Sequence, residues 1–400
     1  MTSNDYIALE EKYGAHNYNP LNVVIDRAKG VWVYDVEGNK YLDCLSAYSA
    51  VNQGHCHPRI IKALKEQAEK VTLTSRAFRN TQLPLLYKKL NELTGYELSL
   101  PMNSGAEAVE TALKAARKWG CKVKGIPEDK AEIITCRNNF AGRTISLISF
   151  STDEQYRDGF GPFTPGFVTV DFGDNDSIDD AITPNTIAVL LEPIQGEGGV
   201  VIPPKGYLKN VCITCKKNGI LLIVDEIQTG LGRTGKMFAF QHENVKPDIV
   251  IIGKALSGGC YPVSAVLSRE EILGVFKPGD HGSTFGGNPL GAAVAVEALN
   301  VLVEENLIEK SYELGKYFLE ELKKTSSQHI KEVRGKGLFI GVELKPEAGG
   351  ARRFCEALMQ RGILCKETHE NVIRFAPPLV IKKEEIDWAL IHIKKVLLMD

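Results

Sequence analysis

A chain of 400 residues with a formal net charge of −2 is long enough for about two domains. It carries no general field for nucleic acid or an anionic membrane surface, and no apolar run reaches the length of a bilayer span. The nine cysteines, scattered and odd in number, fit reduced thiols better than a disulfide framework. Residues 1–14 contain Asp5, Glu10 and Glu11 but no arginine and no apolar block. No targeting or secretion signal is expected there, and the expected location is cytoplasmic.

In chain order, the stretch 30–42 has short alternating segments broken by Glu37-Gly38-Asn39, a hairpin signal. His55-Cys56-His57 precedes Pro58. With no acid or second cysteine nearby in sequence to complete a ligand set, a structural turn is the reading and no metal is expected. Asn103-Ser104-Gly105-Ala106-Glu107 opens a helix with Val109, Leu113 and Ala116 on one face. Ser104 and Glu107 have capping-box spacing. Gly105 lets the backbone come close, and free amides at a helix start bind phosphate.

Three continuous apolar runs, 187–191, 220–224 and 248–252, read as strands covered on both faces. Cys212 and Cys215 share helical spacing with Leu208 and Val211, which points them to the core, and no second pair completes a zinc site. The run Gly230-Leu231-Gly232-Arg233-Thr234-Gly235 matches a dinucleotide glycine pattern. It lacks the strand directly before and the helix directly after that such a pattern needs.

The last hundred residues predict helices over 290–304 and 308–324, a strand over 337–344, and a helix over 351–361. A final helix has Ile386, Leu390, Ile393 and Leu397 on its buried face, and Lys382-Lys383-Glu384-Glu385 reads as its solvated start. Strands alternating with helices predict an α/β fold with a mostly parallel central sheet. Residues 52–295 are expected to form a large domain. Residues 1–51 and 296–400 are expected to form a smaller α+β one.

Chemistry concentrates at two strand ends. Leu221-Leu222-Ile223-Val224 ends in Asp225, and the carboxyl ends of strands line the ligand crevice of an open α/β sheet. An Asp there is costly unless it meets a cation or strong donors. The next run ends in Gly253-Lys254, followed by Ala255-Leu256-Ser257-Gly258-Gly259. A desolvated lysine has a lowered pKa and attacks carbonyls. Together they match what pyridoxal phosphate requires: a Schiff-base lysine and an acidic partner for the pyridine nitrogen.

These residues sit within a longer series of motifs: Gly14-Ala15-His16-Asn17-Tyr18, Ser46-Ala47-Tyr48-Ser49-Ala50-Val51-Asn52-Gln53-Gly54-His55, Glu192-Pro193-Ile194-Gln195-Gly196-Glu197, Asp225-Glu226-Ile227-Gln228-Thr229-Gly230, His281-Gly282-Ser283-Thr284 and Ile373-Arg374-Phe375-Ala376-Pro377-Pro378. In this order they resemble the class III, ornithine-type aminotransferases of fold type I over nearly the whole chain. The resemblance implies a pyridoxal 5'-phosphate enzyme in which Lys254 holds the cofactor and carries the proton, and Asp225 pairs with the ring nitrogen. It implies Gln228 near the phenolic oxygen, Phe140 stacked on the ring, and Gly105 and Ala106 at the phosphate. Ser283 and Thr284 would reach the phosphate of a neighbouring subunit, so a homodimer or higher oligomer is expected.

On the substrate side the resemblance implies carboxylate sites at Arg143 and Arg374. Glu197 would neutralise Arg374, and Tyr18 and Tyr48 would shape the pocket for L-ornithine, with 2-oxoglutarate as acceptor. Ala141 stands where many relatives carry an aromatic residue, opening space beside Arg143. The alternatives are another ω-aminotransferase, acting on acetylornithine or 4-aminobutyrate, and, from a different class, a nucleotide-binding oxidoreductase built on the glycine pattern.

Overall fold

The computed structural model describes residues 1–399. Near the N-terminus, β1 (Ile25–Lys29), β2 (Trp32–Asp35) and β3 (Lys40–Asp43) form an antiparallel meander. The expected hairpin is its β2–β3 half, with Trp32 opposite Leu42 and Val33 opposite Tyr41.

The central sheet uses β4 (Leu98–Met102), β5 (Glu132–Cys136), β6 (Phe167–Val170), β7 (Thr186–Leu191), β8 (Leu221–Asp225), β9 (Ile249–Ile252) and β10 (Ser264–Ser268). Their spatial order is β4-β10-β9-β8-β7-β5-β6. Only β10 runs against its neighbours; the pairs from β9 through β8, β7 and β5 to β6 are parallel. Every residue of β7, β8, β9 and β10 is buried, which is why the first three read as unbroken apolar runs rather than alternating ones. Each buried Leu, Ile or Val contributes roughly 1.5–3 kcal/mol. The four apolar residues preceding Asp225 therefore outweigh the several kcal/mol that a buried ion costs. The parallel strands all deliver their carboxyl ends to one edge of the sheet, where the chemistry-bearing loops begin.

Toward the C-terminus, β11 (Ile330–Lys336), β12 (Phe339–Leu344), β14 (Lys366–Thr368) and β15 (Val372–Phe375) make a separate antiparallel sheet. The two-residue β13 (Ile363–Leu364) joins β3 instead, in parallel, so the two ends of the chain share one sheet. The expected strand at 337–344 begins only at Phe339. Gly337 has φ +55°, and a Cβ there would stand 2.4 Å from the Thr234 carbonyl carbon. That stretch is a tight turn against a neighbouring loop, not strand. Four helices fall close to expectation: Pro289–Glu304, Leu307–Lys323, Arg352–Met359 and Lys383–Leu397. The last buries Ile386, Leu390, Ile393 and Leu397 together. The helix Pro289–Glu304 runs without a break through position 295, where the domain boundary was expected.

The glycine pattern at 230–235 is a packing device. Arg233 is fully buried and donates from Nη1 to the carbonyls of Leu338 (2.8 Å) and Pro377 (2.7 Å) and from Nη2 to Asn52 Oδ1 (2.6 Å). Gly235 has φ +85°, and a Cβ on it would come within 2.8 Å of the Tyr312 Cα. The next regular element is a short 3-10 helix, Ala239–Glu243, not the α-helix a phosphate-binding loop opens into. Cys212 and Cys215 are buried on one face of the helix Tyr207–Asn218, as their spacing implied. His55 and His57 find acids from distant parts of the chain, Asp43 at 2.7 Å and Glu305 at 3.1 Å. Among the described residues no helix is long and apolar enough to cross a membrane.

Candidate active site

Asp225 is the last residue of β8, and Lys254 follows β9, the strand beside it. Both line one cavity of about 200 Å³ at the carboxyl edge of the sheet. Asp225 is buried, and its Oδ1 accepts the amide of Ile227 at 2.9 Å. Burial pushes its carboxyl up to about 6, while the Ile227 amide and the Lys254 ammonium pull the other way. Lys254 is lowered from the usual lysine range by burial, against the pull of Glu197 and Asp225. Its backbone has φ +44°, a conformation that costs a non-glycine residue energy and clusters at functional sites. Gly253, extended at φ −170°, precedes it.

One end of the cavity is the start of the helix Gly105–Trp119. Ser104 caps it, accepting from the Glu107 amide at 3.2 Å, while Glu107 Oε2 accepts the Ser104 amide at 2.7 Å. Gly105 and Ala106 then line the cavity. A Cβ on Gly105 would stand 3.0 Å from Ile227 Cδ1, so a larger residue there would crowd the Ile227 side chain. Phe140 and Gln228 complete the set of expected wall residues.

Arg374, Gln228 and Tyr48 gather around Glu197. Its Oε1 accepts from Arg374 Nη1 at 2.7 Å and from Gln228 Nε2 at 3.1 Å. Arg374 is only 1% exposed. Its Nε and Nη2, one full edge of the guanidinium, are buried with no hydrogen-bond partner among the described residues. Glu197 is held below the usual glutamate range: burial opposes this, and the Arg374 cation overcomes it. The Arg374 guanidinium lies 5.0 Å from the Tyr48 ring centroid. Gln228 therefore serves Glu197 as well as the cavity. It can lie there because residue 196 is glycine; a Cβ on Gly196 would overlap Gln228 Oε1 at 1.4 Å.

Other expected residues stand further out. Arg143 is exposed and packs its guanidinium 3.5 Å from the Tyr156 ring centroid. Tyr18 is 80% exposed and belongs to a groove formed by the N-terminal segment. Ser283 accepts from Asn103 Nδ2 at 2.9 Å, and neither it nor Thr284 lines the cavity of its own chain.

Two functional candidates were missed from sequence. Tyr156 sits edge-on to Phe140, with centroids 6.2 Å apart, and underlies Arg143; nothing in Asp153-Glu154-Gln155-Tyr156 signals this. Glu192 was quoted only as part of a motif. It is buried on the cavity wall, accepting the amides of Phe140 (3.0 Å) and Gly196 (3.1 Å). An acid immediately after the apolar run 187–191 repeats the pattern at Asp225, and that signal was available.

Burial, and next the charge of Asp225, push Glu192 up to about 8, well above the usual glutamate value. A folded pKa above the unfolded one means the folded state binds the extra proton. The stabilisation is complete below the unfolded pKa and is lost as pH rises through about 8. The thermal midpoint of the cofactor-free protein is therefore expected to fall as pH rises toward about 8 and to level off above it. Glu192→Gln should flatten that fall, as read by scanning calorimetry across the range; an unchanged slope would count against a neutral Glu192.

This constellation of amine, acid, helix amides and aromatic ring around one small cavity is that of a pyridoxal-phosphate transferase, and the chain belongs to the class-III aminotransferases: it matches the family described as Aminotransferase class-III over residues 13–397. Among its relatives, an ornithine aminotransferase of Brevibacillus brevis is 62% identical over 395 residues, covering 99% of this chain and 98% of that one. One of Geobacillus sp. is 60% identical over 392 residues, covering 98% of each. Among solved structures, the ornithine aminotransferase of Toxoplasma gondii ME49 has a TM-score of 0.98 at 48% identity, covering 99% of this chain and 95% of that one. A second structure of the Toxoplasma gondii enzyme is described as having partial occupancy of PLP at its active site. An acetylornithine aminotransferase of Elizabethkingia anophelis has a TM-score of 0.91 at 50% identity, covering 99% of each chain.

Proposed function

We propose that this chain transfers the δ-amino group of L-ornithine to 2-oxoglutarate, giving glutamate 5-semialdehyde and glutamate. The observation that carries the reading is the Arg374–Glu197 pair with its unused guanidinium edge. One Arg374 nitrogen is occupied by Glu197. The other two present the parallel donors that a carboxylate accepts. With Glu197 in place, Arg374 is neutralised and an α-carboxylate is not drawn to it, so a diamino acid presents its far amine. With Glu197 turned away, Arg374 takes the α-carboxylate of 2-oxoglutarate or glutamate.

The residues present suit pyridoxal 5'-phosphate. Lys254 would hold it, Asp225 would meet its ring nitrogen, Gly105 and Ala106 would meet its phosphate, and Phe140 would cover one face. When bound, the group supplies an electron sink for the bond broken at the carbon bearing the amine. Lys254, with its lowered proton affinity, takes that proton and returns it at the other end of the transfer. Arg143, stacked on Tyr156, holds the substrate carboxylate remote from the reacting amine, and Tyr18 and Tyr48 border that end.

The same reading assigns Ser283 and Thr284 to the phosphate of a neighbouring subunit, making the working unit a homodimer or larger. It keeps 52–295 as the large domain, 1–51 with 296–400 as the small one, and the location as cytoplasmic. The sheet shared by β3 and β13 supports joining the two chain ends.

Glu197→Ala tests the switch. It should cut the ratio of kcat/KM for L-ornithine to that for L-glutamate by at least about tenfold, or ~1.4 kcal/mol of discrimination. An unchanged ratio would refute the switch. Parallel assays with acetylornithine and 4-aminobutyrate separate the two neighbouring ω-aminotransferase readings.

A further inference from the structure

Tyr48 stands on a strained piece of backbone. Ser46, Ala47, Tyr48 and Ser49 have φ of 52°, 47°, 60° and 71°, a left-handed turn built without glycine. L-residues enter this region singly and at a cost. A run of them persists only where the surroundings over-determine it.

Those surroundings are specific. Asp43, at the end of β3, accepts the amides of Leu45 (2.8 Å) and Ser46 (2.9 Å) on Oδ1. Its Oδ2 meets His55 Nε2 at 2.7 Å. His55 is fixed in turn by two backbone hydrogen bonds with Gly30, at 3.0 and 2.8 Å. Ser46 Oγ donates to the carbonyl of Ala376 at 2.7 Å, two residues beyond Arg374. One hydrogen-bonded set thus ties the turn to β3 on one side and to the strand bearing Arg374 on the other. Tyr48, at the crest of the turn, is held with its ring 5.0 Å from the Arg374 guanidinium.

We propose that Asp43 and His55 are a positioning pair for donor selection, holding the left-handed turn that aims Tyr48 at the Arg374–Glu197 pair. They touch neither Lys254 nor Asp225, so their loss degrades the preference for a δ-amine over an α-amine donor and leaves the chemical step intact. The inference rests on the ornithine reading above, and it gives His55, otherwise unused by the mechanism, a role.

The test follows the two half-reactions separately, through the visible spectrum of the pyridoxal-phosphate-loaded protein, with L-ornithine and with L-glutamate. His55→Ala should lower kcat/KM for L-ornithine about tenfold and that for L-glutamate less than about twofold. His55→Gln, which retains an N–H for Asp43, should recover most of the loss. Adding Ala47→Gly to His55→Ala should also restore the preference, because glycine takes positive φ without penalty. Should His55→Ala not fold, Asp43→Asn with and without Ala47→Gly makes the same comparison. Equal losses for both donors, no loss for either, or no restoration by Ala47→Gly would overturn the proposal. Wild-type protein that ignores L-ornithine would overturn the ornithine reading itself, a failure visible before any variant is made.

Discussion

Lys254→Ala is expected to lower the transamination rate on the order of a millionfold, the scale seen when a covalent nucleophile that also moves the proton is removed. Among the described residues Lys254 is the only lysine on the cavity wall. Burial lowers its proton affinity, and the carboxylates of Glu197 and Asp225 offset this only in part. A lysine with lowered proton affinity is a better nucleophile and base than a solvated one. The variant should still take up the cofactor through its phosphate and ring contacts, without covalent attachment. Steady-state assays with L-ornithine and 2-oxoglutarate check the rate; a loss of less than about a hundredfold would mean that another group carries the proton.

Asp225→Ala is expected to cost on the order of a thousandfold in kcat, ~4 kcal/mol, the scale of removing a pre-oriented charge from a dry site. In the cofactor-free protein, burial raises the Asp225 carboxyl to about 6. A protonated ring nitrogen placed against it favours the carboxylate, and the carboxylate in turn keeps that nitrogen protonated. Asp225→Glu keeps the charge but lengthens the side chain within a cavity of about 200 Å³, and should fall between the two. Equal activity in wild type and Asp225→Ala would remove the acid from the mechanism.

The chemistry was more legible than the architecture. Asp225 and Lys254 stood out because each follows an unbroken apolar run, the pattern of a strand covered on both faces. The capping box at Ser104 and Glu107 was visible for a similar reason: it is a local signal, complete within four residues. Strands such as β11 were not legible. Its sequence, Ile330-Lys331-Glu332-Val333-Arg334-Gly335-Lys336, is mostly charged, and no residue of it is fully buried. Its pairing with β12 is a tertiary fact that overrides weak local preference.

Glu192 followed a readable pattern, whereas Tyr156 did not: its role comes from lying beneath Arg143, thirteen residues earlier in the chain and brought close by folding. The left-handed turn at Tyr48 was equally hidden, since Ser-Ala-Tyr-Ser carries no glycine or asparagine to announce positive φ. The glycine pattern at 230–235 shows the converse. Gly235 answers to the packing of Tyr312, Gly232 to Leu379 and Leu302, and Arg233 to three distant acceptors, demands that resemble a nucleotide loop only in spelling.

Reduction of the pyridoxal-phosphate-loaded protein with borohydride, followed by digestion and mass mapping, tests the central claim most directly. The phosphopyridoxyl mass should appear on the peptide containing Lys254 and nowhere else, and L-ornithine added before reduction should abolish it. Label on a different lysine, or none despite bound cofactor, would contradict the account.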